Sequence, residues 1–485
     1  MRIALFTEVF LPKTDGVVNT LCRLLEHLER RGHQAILFAL AGGPTRYAGT
    51  PIIGLPAVPF PFYPELRLVP PTVDVRDALV AFDPDLIHIF NPVSLGLVGL
   101  RHAHETGIPV AASYQTDLPG FIARWGLGVV SEPMWEFLRW VHDQADLNFC
   151  PSYFTLQELE RRGFRNLRVW GRGVDVERFH PRHFNTEWRV RLSGGRPDAP
   201  VILTVSRLSP EKRVSMLRPL ADALPQARLA IVGDGPIRQM LEYQFAGTPT
   251  VFTGYLHGAD LAAAYASADI FVLTSANETF GNVVLEAMAS GLPVVVPSSG
   301  GQLDYVHHEV NGLIYDHEDP EALIAQVARL IGDPLLARRL GASGRAWAET
   351  RRWEHVLDGL IADWETIVHP PRLTLLVGKA DVAPSLIPAA RGDRPLPPGR
   401  FEAVGEGRPG ACGPGRATSV GAFSAGRRAG VRWSAKADQG PAAREGRLQS
   451  AHSARAAGPT EPGPPPAGRE SGPGAHLSPP TRSPG

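Results

Sequence analysis

Two glutamates, Glu278 and Glu286, stand eight residues apart in the stretch Ser275-Ala276-Asn277-Glu278-Thr279-Phe280-Gly281-Asn282-Val283-Val284-Leu285-Glu286. An apolar run over 270–273 delivers the first of them, and a helix beginning near Asn282 carries the second. A rise of 1.5 Å per residue separates them by at most ~12 Å, about the reach of a folded sugar nucleotide. Open α/β sheets bind ligands at the carboxyl ends of their strands, beside helix N-termini whose free N–H groups attract phosphate. The spacing suits one carboxylate for sugar hydroxyls, the amides around Phe280, Gly281 and Asn282 for phosphates, and the second carboxylate for a ribose. A loop acid followed by an ordinary solvated helix acid is the competing description, and spacing alone does not separate the two.

Other strand ends bring further chemistry to the same edge. The run over 201–205 ends in Ser206-Arg207-Leu208-Ser209-Pro210-Glu211-Lys212. Two cations there suit a diphosphate, Arg207 as a two-pronged donor and Lys212 as a point charge. The run over 229–232 ends in Gly233-Asp234-Gly235-Pro236, a turn that lets a ligand approach the backbone and is also a common connection. Near the start, Thr7-Glu8-Val9-Phe10-Leu11-Pro12-Lys13-Thr14-Asp15-Gly16 places a glycine at a helix entry, where an amide can point at phosphate. Asp117, in Tyr114-Gln115-Thr116-Asp117, is either a polar group at the reacting centre or the cap of the next turn. Neither G-x-G-x-x-G nor G-K-[ST] occurs here, so dinucleotide redox and P-loop chemistry find no support. Asp83-Pro84-Asp85 has the form of a metal-binding D-x-D, but it precedes its strand and so belongs at the wrong end of a sheet.

These residues need a scaffold in which strand ends converge. Strands are expected over 2–7, 35–39, 86–90, 109–113 and 147–149, with helices over 16–31, 73–82, 93–106 and 132–145. A turn-rich passage, 171–197, precedes a second series. Its strands fall at 201–205, 228–232, 250–252, 270–273, 293–296 and 313–315. Its helices fall at 210–224, 236–246, 259–267, 282–290, 319–332, 335–349 and 353–368. Strands alternating with helices imply right-handed crossovers and parallel sheets buried on both faces. The fold class is α/β, two Rossmann-like domains facing across a cleft: 1–178, and 179–370 ending in a closing helix.

Composition bounds the rest. The 485 residues carry no net charge, but from Pro371 onward there are 16 Lys and Arg against 8 Asp and Glu. The first 370 residues are therefore mildly acidic, without the basic footprint of a nucleic-acid binder. Segment 371–485 holds 19 Gly and 18 Pro without apolar periodicity, the signature of a disordered Gly/Pro/Arg-rich tail, either genuine or the product of a frame-shift. Cys22, Cys150 and Cys412 have no metal-ligand spacing and fit a reducing compartment. With no signal peptide or long apolar span, a cytoplasmic protein is expected. The apolar, aromatic segments 59–64 and 121–127 read as a docking edge for peripheral contact with the inner face of the membrane, or as loops buried between domains.

The constellation resembles one family. Glu278 and Glu286 followed by Ala287-Met288-Ala289-Ser290-Gly291-Leu292-Pro293 are similar to the signature of retaining GT-B glycosyltransferases. So are Ser206-Arg207-Leu208 with Glu211-Lys212, Gly233-Asp234-Gly235-Pro236, and Gly300-Gly301 with Asp304 and Asn311-Gly312. Tyr114-Gln115-Thr116-Asp117-Leu118-Pro119-Gly120-Phe121 and Trp170-Gly171-Arg172-Gly173-Val174-Asp175 resemble a narrower set. That set comprises bacterial GDP-mannose-dependent α-mannosyltransferases acting on glycolipids, together with sulfoquinovosyl-diacylglycerol synthases. The resemblance implies that Glu278 grips the hexose, Glu286 the ribose, and Arg207 and Lys212 the departing diphosphate, in place of a metal. Gly16 would offer its amide from the facing domain, and Gln115 stands where many relatives have His. No cofactor is implied. The donor would be a sugar nucleotide such as GDP-mannose and the acceptor a glycolipid or small glycoside. A UDP-sugar-dependent glycolipid synthase and a non-catalytic sugar-nucleotide-binding protein are the alternatives.

Overall fold

The computed structural model describes residues 1–13, 16–60, 63–70, 73–90, 92–122 and 128–369. The expected tail and parts of the aromatic segments 59–64 and 121–127 lie outside the described residues.

The first half builds an eight-stranded sheet. Its strands are β1 (Arg2–Phe6), β2 (Gln34–Leu40), β3 (Arg46–Tyr47), β4 (Thr50–Leu55), β7 (Leu86–Ile89), β8 (Val110–Ser113), β9 (Leu147–Cys150) and β10 (Leu167–Val169). A hairpin of β5 (Val58–Phe60) and β6 (Tyr63–Leu68) stands apart from it. The order is β10-β9-β8-β7-β1-β2-β4-β3, and only the β3–β4 pair is antiparallel. Central strands are apolar without alternation because both faces are covered: Ile3, Ala4, Leu5 and Phe6 are all fully buried. The helices are α1 (Gly16–Arg30), α2 (Arg76–Phe82), α3 (Leu95–Thr106), α4 (Leu118–Ile122), α5 (Ser131–His142) and α6 (Tyr153–Arg161). In α1 a stripe of Val18, Leu21, Leu24, Leu25 and Leu28 faces the sheet, and Gly32, at φ 74°, turns the chain into β2.

The second half is an all-parallel sheet of order β13-β12-β11-β14-β15-β16. Its strands are β11 (Val201–Val205), β12 (Arg228–Val232), β13 (Thr250–Gly254), β14 (Ile270–Val272), β15 (Val294–Pro297) and β16 (Leu313–Tyr315). Around it lie α7 (Thr186–Leu192), α8 (Leu217–Ala223), α9 (Arg238–Gln244), α10 (Gly258–Ala266), α11 (Asn282–Ala289), α12 (Pro320–Gly332) and α13 (Pro334–Glu349).

The last helix, α14 (Trp353–Val368), follows the second half in sequence but packs on the first. Trp353, Leu357, Leu360, Ile361 and Trp364 join one core with Leu5, Leu21, Leu24, Leu25 and Trp170. Asp358 accepts from His27 Nε2 at 2.8 Å and from Arg31 Nε at 2.9 Å. The two passages between halves run side by side, with the Val174 amide donating to the Arg351 carbonyl at 2.8 Å.

Three local expectations change. The helix over 210–224 becomes two 3-10 turns and a short α8, because Arg213 adopts φ 52° and the Lys212 carbonyl accepts from Thr274 Oγ1 at 2.6 Å. The passage 171–197 contains α7, opened by Asn185, whose side chain accepts from the Trp188 amide. Strands β3 and β4 carry no apolar run to mark them: Pro51 stands in β4 just before its pairing with β2 begins at Ile52, and a Cβ on Gly54 would lie 3.1 Å from Ala41 Cα.

Candidate active site

Carboxyl ends of strands from both halves wall one cavity of about 590 Å³. The first half supplies Leu11, Gly16, Cys22, Arg23 and Tyr47, and the second supplies Arg207, Gly233, His257, Asn282 and Glu286. Gly16 opens α1 and Asn282 opens α11, and a Cβ on Gly16 would lie 3.0 Å from Asn282 Nδ2. Gly281, at φ 87°, precedes α11 in the left-handed region that favours glycine, and its carbonyl accepts from Tyr305 at 2.7 Å. Asn282 Oδ1 is buried with no hydrogen-bond partner among the described residues, a polar atom that a ligand can satisfy.

Of the two glutamates, Glu286 lines the cavity and Glu278 does not. Glu286 Oε2 accepts from Tyr265 at 3.0 Å. Burial pushes its carboxyl up to about 7, with the Tyr265 hydroxyl and the Arg178 charge pulling the other way. Glu278 pairs with Lys212, Nζ to Oε1 at 2.6 Å, and both side chains are largely buried. The Glu278 carbonyl accepts from the Gly301 amide at 2.7 Å, which ties this turn to the Gly300-Gly301 loop.

Arg207 is exposed on the cavity wall. Gly233 belongs there for a packing reason: at φ 135°, a Cβ would fall 1.8 Å from the Ser206 carbonyl. The two strand-end loops pair through Ser206 N to Val232 O at 3.0 Å and Leu208 N to Asp234 O at 2.9 Å. This glycine therefore seats the loop bearing Arg207. Asp234 lies outside the cavity lining; Arg238 at 2.6 Å and the Gly235 amide at 2.7 Å hold its carboxyl below the usual range. Phe280 is a core residue packed on Tyr305, with ring centroids 5.1 Å apart. Asp117 caps the turn into α4, accepting from the Gly120 amide at 2.9 Å and the Tyr114 hydroxyl at 3.3 Å. Gln115 meets the buried guanidinium of Arg172, which burial pushes down to about 10. Asp83 and Asp85 bind Arg2 at the opposite end of the strand. Among the described residues, no group of three or more His, Cys, Asp or Glu is disposed to hold a metal ion.

The wall also includes Asp175, named above only as part of a motif, and Arg178, Tyr255, Leu256 and His257, which no sequence motif singled out. The last three follow β13, so the strand-end rule that selected Arg207 also reaches them.

Two Rossmann-like sheets with strand ends facing one inter-domain cavity form the GT-B architecture. A sucrose-phosphate synthase from Thermosynechococcus elongatus shares it, with TM-score 0.63 at 22% identity over 75% of this chain and 98% of that one. The family models "Glycosyltransferase Family 4" and "Glycosyl transferases group 1" match residues 14–178 and 189–347. A GDP-mannose-dependent alpha-mannosyltransferase from Mycobacterium tuberculosis is 38% identical over 76% of this chain and 97% of its own length. The sulfoquinovosyl transferase SQD2 of Arabidopsis thaliana is 35% identical over 73% of this chain and 71% of its own. The chain belongs to the group 1 glycosyltransferases.

Proposed function

We propose that this glycosyltransferase moves mannose from GDP-mannose onto a glycolipid or small glycoside acceptor, with retention of configuration and without a metal ion. The observation that carries the reading is the single cavity walled by Gly16, Arg207, Asn282 and Glu286. Arg207 and Lys212 supply fixed positive charge to the leaving diphosphate, the α1 amide at Gly16 adds a donor from the facing half, and Glu286 takes the ribose. Glu278, oriented by Lys212, accepts from hydroxyls of the transferred sugar. The bond from the anomeric carbon to the diphosphate oxygen breaks, and the acceptor oxygen bonds to the same face. The acceptor proton passes to a diphosphate oxygen. No helix among the described residues is long and apolar enough to cross a membrane. A glycolipid acceptor would then be met by peripheral contact at the cytoplasmic face. Turnover of GDP-mannose, UDP-glucose and UDP-sulfoquinovose, each with a lipid extract, tests the reading. Preferred use of a UDP-sugar would replace it with a glycolipid synthase of the sulfoquinovosyl or glucosyl kind, and no turnover of any donor would overturn catalysis.

A further inference from the structure

We propose that Tyr265 is a positioning residue, whose hydroxyl fixes the Glu286 carboxylate so that its second oxygen meets a vicinal diol of the bound nucleotide. This rests on the reading of the cavity as a sugar-nucleotide site. Tyr265 OH lies 3.0 Å from Glu286 Oε2 and 3.3 Å from the Val283 carbonyl, both on α11. The phenol is fully buried, its ring edge-on to Phe179 at 5.5 Å and tilted against Phe271 at 5.9 Å. Such packing fixes the ring, so the hydroxyl proton turns only between these two acceptors, of which Glu286 Oε2 is the nearer. Helix α10 is itself anchored, since Asp260 accepts from Trp188 Nε1 at 3.2 Å. The same helix follows the cavity-lining Tyr255-Leu256-His257 and carries Leu261 into the wall, so one rigid element both lines the site and orients its acid.

The arrangement solves a specific problem. A carboxylate in dehydrated surroundings tends to take up a proton, and a protonated acid is a poorer acceptor for two hydroxyls. Tyr265 donates to the ionised form only at Oε2 and leaves Oε1 for the ligand. The charged and titratable groups facing Glu286 are Tyr265 from α10, Arg178 from the inter-domain passage and Tyr305 behind α11. Among the described residues, Tyr265 is the one that hydrogen-bonds its carboxylate.

The test measures binding of GDP and of 2′,3′-dideoxy-GDP to the full chain and to Tyr265→Phe, by calorimetry from pH 6 to 9. For the wild type, loss of the diol costs about 30-fold in affinity, the weight of a hydrogen bond to a charged acceptor. In Tyr265→Phe the cost shrinks below about fivefold, and the pH at which affinity rises moves upward, while dideoxy-GDP binds as before. A wild type blind to the diol contradicts the assignment of Glu286 itself, a separate failure. A wild type that discriminates, with Tyr265→Phe discriminating equally at every pH, overturns the positioning role. Should Tyr265→Phe fold poorly, 3-fluorotyrosine at position 265 keeps the ring and strengthens the donor. It must then move the pH midpoint downward, and an unmoved midpoint sinks the proposal.

Discussion

Gly16 and Asn282, each the first residue of a helix, meet across the two halves of the chain, with room between a Gly16 Cβ and Asn282 Nδ2 of only 3.0 Å. Two helix N-termini thus converge from opposite sheets on one cavity, each turning the positive end of its dipole toward a bound anion. Gly16→Ala should therefore raise the KM for donor about tenfold, a shift of ~1.4 kcal/mol, with little change in thermal midpoint. Adding Asn282→Ala should recover part of the loss. Steady-state kinetics of the four-member cycle check this, and an unaltered KM in Gly16→Ala rejects the convergence as functional.

The Lys212–Glu278 pair predicts a different phenotype. Glu278→Gln keeps the size and one acceptor oxygen but removes the charge that Lys212 balances at 2.6 Å. Turnover should drop on the order of 100-fold or more, as for loss of a preorganised polar contact in a dry site. The KM should change far less. Rapid-quench turnover measures both; activity within about twofold of wild type removes Glu278 from the site.

One set of polar contacts ties the two halves directly, and we expect it to act as a latch on their closure. Asp304 accepts from the amides of Tyr153 and Phe154, at 2.5 and 3.3 Å, and so caps α6 of the other half. Thr155 Oγ1 also reaches the Thr279 carbonyl at 3.4 Å, in the turn that carries Glu278. Asp304→Ala should cost about 1 kcal/mol of capping and lengthen inter-domain distances measured by spin labels on α5 and α12. An unchanged distance distribution excludes the latch.

How far these relationships were legible depended on the physics behind each. Buried parallel strands announce themselves by unbroken apolar runs, so β1, β11, β12 and β14 and the strand-end residues Arg207 and Gly233 could be placed from sequence. Strand β4 could not, since Pro51 and Gly54 read as a turn when no apolar run surrounds them. Glu286 was found by its spacing, but its partner Tyr265, 21 residues earlier, belongs to an alanine-rich helix in which an aromatic reads simply as core. Phe280 enters the donor site in sequence by adjacency alone; its ring lies in the core against Tyr305, which bears on the side chain and not on the backbone amide. For Asp117 the sequence suits a cap and a polar group at the reacting centre alike, because the same short acid serves both; in the structure it accepts from the Gly120 amide.

Glu8 supplies a pH test independent of substrate. Burial pushes its carboxyl from 4.5 up to about 7, despite opposing bonds from the amides of Leu95, Gly96 and Ser94. The folded state binds this proton more tightly than the unfolded chain. Its stabilising effect is therefore complete below about 4.5 and is lost as pH rises through 7. Glu8→Gln should flatten that decline by on the order of 3 kcal/mol, read from urea melts between pH 5 and 8. An equally steep decline in the variant refutes the buried-acid account.

The central claim is that one metal-independent cavity holds a sugar nucleotide and passes its sugar on with the same anomeric configuration. The most direct measurement is NMR of the first product formed by the full chain from GDP-α-mannose and a lipid-extract acceptor, in the presence of EDTA. The account predicts an α-mannoside formed at the rate seen without chelator. A β-mannoside, or transfer abolished by EDTA and restored by a divalent cation, contradicts it.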